Sequence, residues 1–400
     1  MARRGAAWIS AVEATSLLGV SRATLYAYVS RGHIRSEPGT GTTRHRRYSR
    51  DDAQRLRDRS NERRNPGQAA GQALQWGLPV LESAITLIAD GRLFYRGRDS
   101  TELARSASIA ETAALLWTGS ADGILPGSNP SSVRMARPAG DLPFVARAQV
   151  VLAQAACADS LAFDLRPRQV AQTGWRILRL LARVAAEGGA PEASIDATLA
   201  RHWGAPAAQP LLRAALILCA DHELNVSSFT ARCVASAGGS PYGVVIAGLA
   251  ALEGRKHGGT TGRVESLWNS LRRSRDLRGA LAARLRHGES VHGFGHPLYP
   301  GGDPRAKALL SMLPKSREAE FAQRLASEVA EVLEEQPTVD FALVALRRAL
   351  GLAEGTALTL FALGRTMVWI GHCIEQYARD SIIRPRASYI GEKPVGAATP

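Results

Sequence analysis

Cysteine is scarce in this 400-residue chain: Cys157, Cys219, Cys233 and Cys373 are scattered, with no C-x-x-C spacing. A disulfide framework is thereby excluded and a structural zinc site disfavoured, and isolated thiols fit a reducing cytoplasm. Aromatic residues make up only 6% of the chain, and Ala, Leu and Arg dominate, so a soluble, mostly helical protein is expected. Long apolar runs are also missing. The longest, Val244 to Leu252, is too short to span a bilayer, and the polar start Met1-Ala2-Arg3-Arg4-Gly5 has no signal-peptide apolar core. No membrane partner is expected.

Several catalytic signatures are absent as well. No G-x-G-x-x-G follows a strand, and neither a Walker sequence nor a G-x-S-x-G elbow occurs, which disfavours nucleotide-fold enzymes and serine hydrolases. His222-Glu223 opens like a zincin helix, but Val226 stands where the second histidine belongs. His292 and His296 are four apart yet separated by glycines, so they share no helical face. No metal is expected.

What is present is positive charge, unevenly placed. Of the net +14, residues 1–65 carry +8, from 14 arginines against six acidic residues. Only four of the 50 cationic residues are lysines, so arginine-rich usage alone explains part of the excess. The order of elements says more. Ser10 and Glu13 form a capping box that starts a helix running to Leu18. Gly19-Val20-Ser21 makes a turn, and Ser21 caps a second helix from Arg22 to Ser30. Two short helices joined this way form a helix-turn-helix, whose second helix enters the major groove, with Arg22, Thr24 and Tyr28 near the DNA face. A glycine-turned ribbon follows, Gly39-Thr40-Gly41 and then Arg44-His45-Arg46-Arg47-Tyr48.

These fifty residues resemble the winged helix-turn-helix of the MerR and excisionase families. The resemblance implies binding of double-stranded DNA, with Arg44, Arg46 and Arg47 of the wing on phosphates and the second helix on bases. A protein-interaction or dimerisation role is the competing reading. The module is placed at residues 1–60. From Arg57 to Gln75 the composition of Arg, Asn, Gln, Gly and Pro is linker-like, and the linker is placed at 61–75.

Residues 76–395 read as all-α. Leu211 to Leu218, Gly243 to Leu252, Phe321 to Leu333 and Phe341 to Leu350 are apolar at helical spacing. Ala121 to Asp141, rich in Gly, Pro and Ser, reads as a loop. Polar residues interrupt this apolar background at a few points. His222 lies in Ala220-Asp221-His222-Glu223-Leu224-Asn225, after one apolar helix, and His257 in Gly254-Arg255-Lys256-His257-Gly258-Gly259, after another. His296 and Arg305 come from Gly293-Phe294-Gly295-His296-Pro297 to Asp303-Pro304-Arg305, a stretch whose glycines and prolines forbid a continuous helix. Asp340 stands at a helix start, and Arg365 and Arg384 follow. Singly, each has a plain structural explanation, as a core histidine, a capping aspartate or a surface arginine. Together, three histidines at helix ends or glycine loops, one aspartate and three arginines are harder to explain by packing alone and point to a small-molecule site.

In this order the motifs are similar to those of the citrate synthase family across roughly residues 75–393. The resemblance implies a largely α-helical homodimer with a large domain and a small domain, the latter near 222–340. It implies condensation of an acyl-CoA, acetyl-CoA or propionyl-CoA, with oxaloacetate, and hydrolysis to citrate or methylcitrate plus CoA. Coenzyme A enters as a substrate thioester, and no tightly bound cofactor is expected. Carried over residue by residue, the resemblance makes Asp340 the base, His257 the donor to the thioester oxygen and His296 the donor to the oxaloacetate ketone. Arg305, Arg365 and Arg384 would hold carboxylates, Arg384 reaching into the second subunit, with His222 as a further carboxylate or hydroxyl partner.

The sequence also departs from the family's pattern. Cys219 replaces a frequent histidine, Thr260-Thr261-Gly262 replaces alanine-asparagine-glutamate after His257, Val368 replaces a common glycine, and the stretch between Trp117 and Leu161 is short. These departures leave a second expectation open, a metabolite-sensing transcriptional regulator with little turnover.

Overall fold

A computed structural model describes residues 8–39, 46–64, 81–122, 142–387 and 389–392 and divides the chain into two compact units, Met1–Glu82 and Ser83–Pro400. Arg44, most of the expected 121–141 loop and residues 65–80 lie outside the described residues.

The first unit contains β1 (Trp8–Ile9), α1 (Ala11–Leu18), α2 (Arg22–Ser30), β2 (Ser36–Pro38), β3 (Arg46–Ser49) and α3 (Arg50–Arg64). Its helix signals are realised as expected. Ser10 and Glu13 close a reciprocal capping box on α1, and Gly19 ends that helix at φ 64°, a left-handed turn that glycine adopts without steric cost. Strand β3 pairs antiparallel with both β1 and β2, so the ribbon is anchored on two sides. Ile9, Ala14, Leu25, Ile34, Tyr48 and Ala53 form its core. Helix α3 continues to Arg64, into the stretch assigned by composition to the linker. Arg, Gln and Glu are good helix formers, and Asp51 and Asp52 favour the positive N-terminal end of the helix.

The second unit opens with a small antiparallel sheet, β4 (Thr86–Ala89), β5 (Arg92–Tyr95) and β6 (Arg98–Asp99), which the helical reading of this region did not anticipate. Helices follow: α4 (Ser100–Ser106), α5 (Ile109–Thr118), α6 (Phe144–Ala158), α7 (Pro167–Ala185), α8 (Ile195–His202), α9 (Gln209–Leu218), α10 (Val226–Ser236), α11 (Pro241–Leu252), α12 (Thr260–Leu271), α13 (Leu277–Arg286), α14 (Pro304–Ser311), α15 (Arg317–Leu333), α16 (Val339–Ala349) and α17 (Thr356–Arg379). The expected span 222–340 contributes α10 to α15 and the connecting loops.

Helix α17 is the axis of this unit, packed by α5, α7, α9, α10, α11 and α16. Its 24 residues reach about 36 Å at 1.5 Å per residue. By length and composition it could cross a membrane, but 94% of its most apolar window is buried inside the protein, as in a core helix apolar all round. Packing is close. A Cβ at Gly248 of α11 would stand 2.6 Å from the Trp369 ring, so only glycine admits the indole there.

Candidate active site

The site is assembled by the ends of these helices. Where α9 stops, residues 219–225 pass beneath the small sheet. The buried Tyr95 hydroxyl accepts the Asp221 N–H at 3.2 Å, and Thr86 Oγ1 donates to the Asp221 carboxylate. The next residue, His222, is thereby fixed, and its Nε2 lies 3.1 Å from the Tyr299 hydroxyl. Asn225 then caps α10, accepting the Ser227 and Ser228 N–H groups. Ser227 Oγ stands 3.0 Å from His257 Nε2 and 2.8 Å from Asn225 Oδ1.

The glycine-rich loop is held by short β-like contacts. Phe294 bridges Pro337, Thr338 N–H donates to the Gly293 carbonyl at 2.8 Å, and Gly295 N–H donates to the Gln336 carbonyl at 3.0 Å. Gly293 has φ 92°, and a Cβ there would lie 3.1 Å from Phe341 Cβ. The bare backbone therefore brings the His296 loop against the first turn of α16, which carries Asp340. Asp303 ties the same two elements together. It caps α14, binds Arg305 Nε and Nη2 at 2.9 and 2.8 Å, and accepts the Val339 N–H at 3.0 Å. No role was assigned to Asp303 from sequence, although an aspartate immediately before a proline is a helix-start signal.

His222 and His296 meet edge to face with ring centres 4.9 Å apart, and Tyr299 lies 5.1 Å from His296. Arg305 stands over Tyr299 at 5.6 Å, and Arg365 over Phe361 at 4.9 Å. Phe361 also meets the His257 ring, at 5.9 Å. Both arginines are buried, at 2% and 1% exposure. Arg365 Nε donates to the Cys219 carbonyl at 3.1 Å, while its Nη1 has no hydrogen-bond partner among the described residues. Arg305, with Nε and Nη2 committed to Asp303, has only its outer edge, at Nη1, to offer. Buried cations with unused donors call for an anion.

Electrostatics separates acid from base roles. Burial pushes the Asp340 carboxyl up to about 6, against the pull of Arg305 and with help from Asp303. Burial lowers His257 to about 4, with Arg365 adding to it. His296 also falls to about 4, through burial and Arg305, with Asp303 opposing. His222 is held well below the usual imidazole range by burial, then by Arg305, His296, Arg365 and His257. All three imidazoles are therefore neutral near pH 7. The Leu298 N–H donates to His296 Nδ1 at 3.2 Å, which assigns that ring's proton to Nε2.

His222, His257, His296, Arg305, Asp340 and Arg365 thus share one electrostatic neighbourhood. Arg384 does not join them: it is exposed on the extended segment after α17. Among the described residues, no group of three or more His, Cys, Asp or Glu side chains could hold a metal. In the first unit, Arg22 is exposed at the start of α2, whereas the Thr24 hydroxyl shares a 3.0 Å hydrogen bond with Ser21. Tyr28 is half-buried against the core. Tyr26, 54% exposed and four residues from Arg22, occupies the outer face instead, a position that helical spacing makes visible. On the ribbon, Arg46 is exposed and Arg47 donates to the Trp8 carbonyl at 3.2 Å.

Residues 73–130 and 144–386 match the profile of the citrate synthase C-terminal domain, and residues 9–58 that of the MerR HTH family regulatory proteins. The chain is 35% identical over 184 residues to citrate synthase 2 of Bacillus subtilis, covering 44% of this chain and 50% of that protein. Against the citrate synthase of Haloferax volcanii it is 29% identical over 364 residues, covering 79% of this chain and 95% of the relative. The crystal structure of citrate synthase from Thermotoga maritima MSB8 superposes with a TM-score of 0.64 at 25% identity, covering 81% of this chain and 96% of that one.

Proposed function

The chain belongs to the citrate synthase family, a family of acyltransferases, and on that premise we propose that it condenses an acyl-CoA with oxaloacetate. One observation carries the reading: a carboxyl raised to about 6 lies in the same electrostatic neighbourhood as neutral imidazoles and two buried guanidinium groups. Asp340 removes a proton from the carbon next to the thioester carbonyl. A carbon acid this weak needs the enolate oxygen stabilised as charge develops, and His257 donates to it. That role requires the proton on Nδ1, the tautomer selected when the Ser227 hydroxyl turns from Asn225 to donate to Nε2. The enolate carbon attacks the oxaloacetate ketone, whose oxygen takes a hydrogen bond from His296 Nε2–H. Hydrolysis of the thioester then releases CoA as the free thiol.

Arg305 and Arg365 grip the carboxylates of oxaloacetate. The exposed Arg384, outside the group of site residues in its own chain, completes the site of a partner subunit, so the working form is a homodimer. The first unit binds double-stranded DNA through the exposed face of α2 and the cationic ribbon, and the site reports metabolite occupancy to DNA or works beside it. The experiment is free-thiol release from acetyl-CoA and from propionyl-CoA with oxaloacetate, by wild type and Asp340→Ala. Equal release by the two proteins sinks the assignment of Asp340. Oxaloacetate binding without release by wild type favours the sensing reading over turnover.

A further inference from the structure

Behind the site, on the buried axis, lies a histidine that the condensation does not use. His372, one of the most deeply buried residues of α17 at 1% exposure, sits two turns beyond Arg365 on the same helix. Neither ring nitrogen has a hydrogen-bond partner among the described residues. Each faces a carboxylate at 3.9 Å, Nε2 toward Asp221 Oδ2 and Nδ1 toward Glu375 Oε2. The charged groups around it are Asp221 and Glu375 on one hand and Arg365, Arg232 and Arg96 on the other.

A neutral imidazole has one N–H to give, and donor accounting decides which carboxylate receives it. Glu375 is already supplied. It accepts from Ser83 Oγ at 2.8 Å and the Ala84 N–H at 2.9 Å, and lies 3.7 Å from Arg96 and 3.5 Å from Arg232. Asp221 Oδ2, the oxygen that His372 faces, has one donor, Thr86, against two on Glu375 Oε2, Ser83 and Arg232, and Asp221 Oδ1 has no hydrogen-bond partner among the described residues. Arg365 Nη1, also without one, points to that oxygen at 3.9 Å. Asp221 is thus the hinge between the guanidinium that faces the substrate and the imidazole behind it.

We propose that His372 is a positioning residue: through Asp221 it sets the orientation in which Arg365 holds a substrate carboxylate. The inference rests on the reading of Arg365 as an oxaloacetate ligand. The Nε2 side of the ring faces Asp221 from behind across 3.9 Å, and Asp221 in turn faces Arg365 Nη1 across 3.9 Å, so the orientation of the carboxylate is set electrostatically from both sides. The acyl-CoA half of the site, at His257, meets this chain of groups at one remove, through Phe361 and the charge of Arg365, and so feels the smaller effect.

The test uses full-length protein and three forms, wild type, His372→Leu and His372→Gln. The side-chain amide of the last can place an N–H toward Asp221 where Nε2 stands. Oxaloacetate affinity is measured by calorimetry, with melting temperatures and, where turnover is present, separate KM values for oxaloacetate and acyl-CoA. The expected result is about a tenfold loss of oxaloacetate affinity in His372→Leu, with the acyl-CoA KM and melting temperature little changed and affinity recovered in His372→Gln. Unchanged oxaloacetate affinity in His372→Leu overturns the proposal, as does a parallel loss in both substrates accompanied by a lower melting temperature. If wild type itself binds no oxaloacetate, the underlying reading of Arg365 fails and the proposal fails with it.

Discussion

Asp303 and Arg305 form a buried two-pronged ion pair, at 2.9 and 2.8 Å, that also receives the N–H of Val339, the residue before Asp340. One carboxylate therefore compensates a cation, caps α14 and fixes the start of the helix carrying the proposed base. Burial raises the cost of both charges, yet their mutual attraction keeps Asp303 below the usual carboxylate range and Arg305 above its own. Asp303→Asn leaves Arg305 buried without its counter-charge. The expected loss is about 3 kcal/mol of stability by denaturant titration, with kcat/KM for oxaloacetate down at least about tenfold. A stable, fully active Asp303→Asn protein would refute the coupling.

Asp340 should set the acid limb of activity. It must be ionised to take a proton, and burial raises it to about 6, so kcat should fall about tenfold per pH unit below that point. Protonation of His257 and His296, both near 4, adds losses only at lower pH. Stability has the opposite sense. The folded state retains the Asp340 proton up to about 6, whereas an unfolded aspartate releases it near 3.8. The associated stabilisation is full below the lower value and lost as pH rises through the higher one. Asp340→Asn should accordingly be inactive but about 1–2 kcal/mol more stable than wild type at pH 8, allowing for the half-buried position of Asp340. A pH-rate profile and paired melts at pH 5 and pH 8 read both effects.

Ser227→Ala isolates the tautomer of His257. The hydroxyl donates to Asn225 Oδ1 and stands 3.0 Å from Nε2; without it the ring loses the group whose turn toward Nε2 holds the proton on Nδ1 in the proposed mechanism. The cap on α10 survives, because Asn225 Oδ1 still receives the Ser227 and Ser228 N–H groups. The fall should therefore be mainly in kcat, about tenfold, with at most about 1 kcal/mol of stability lost. A change confined to oxaloacetate KM would place Ser227 in the wrong role.

How much of this was legible in the sequence depended on whether the signal was local. The capping box at Ser10 and Glu13, the turn at Gly19 and the loop of Gly293 to Arg305 follow from residue chemistry over a few positions, and they appear where expected. His222, His257, His296 and Asp340 stood out because polar groups at helix ends interrupted apolar runs. Asp221, Asp303 and His372 did not. Their significance lies in partners 135, 36 and 151 positions away, at Thr86, Val339 and Asp221, and no spacing rule reports such contacts. The small sheet was passed over because its strands are two to four residues long, too short for alternation to show. On α2 the outward face was readable, since Arg22 and Tyr26 are one turn apart, while Tyr28 turns toward the core.

The ribbon offers a test of DNA binding that separates electrostatics from folding. Arg46 and Arg47 are adjacent cations on β3, but their surroundings differ. Arg46 is exposed, whereas Arg47 bridges to the Trp8 carbonyl and so ties β3 to β1. Counterion release makes log affinity fall linearly with log salt, with a slope set by the number of phosphates neutralised. Arg46→Ala in the full-length chain should weaken duplex binding and reduce that slope by about one, with no change in melting temperature. Arg47→Ala should also lower the melting temperature of the first unit, because a hydrogen bond to the backbone is lost with the charge. Tyr26→Ala removes no charge, so any loss of affinity it causes should leave the salt slope untouched. Equal salt slopes for wild type and Arg46→Ala would argue against phosphate contact by the ribbon and favour a protein-interaction role for this unit.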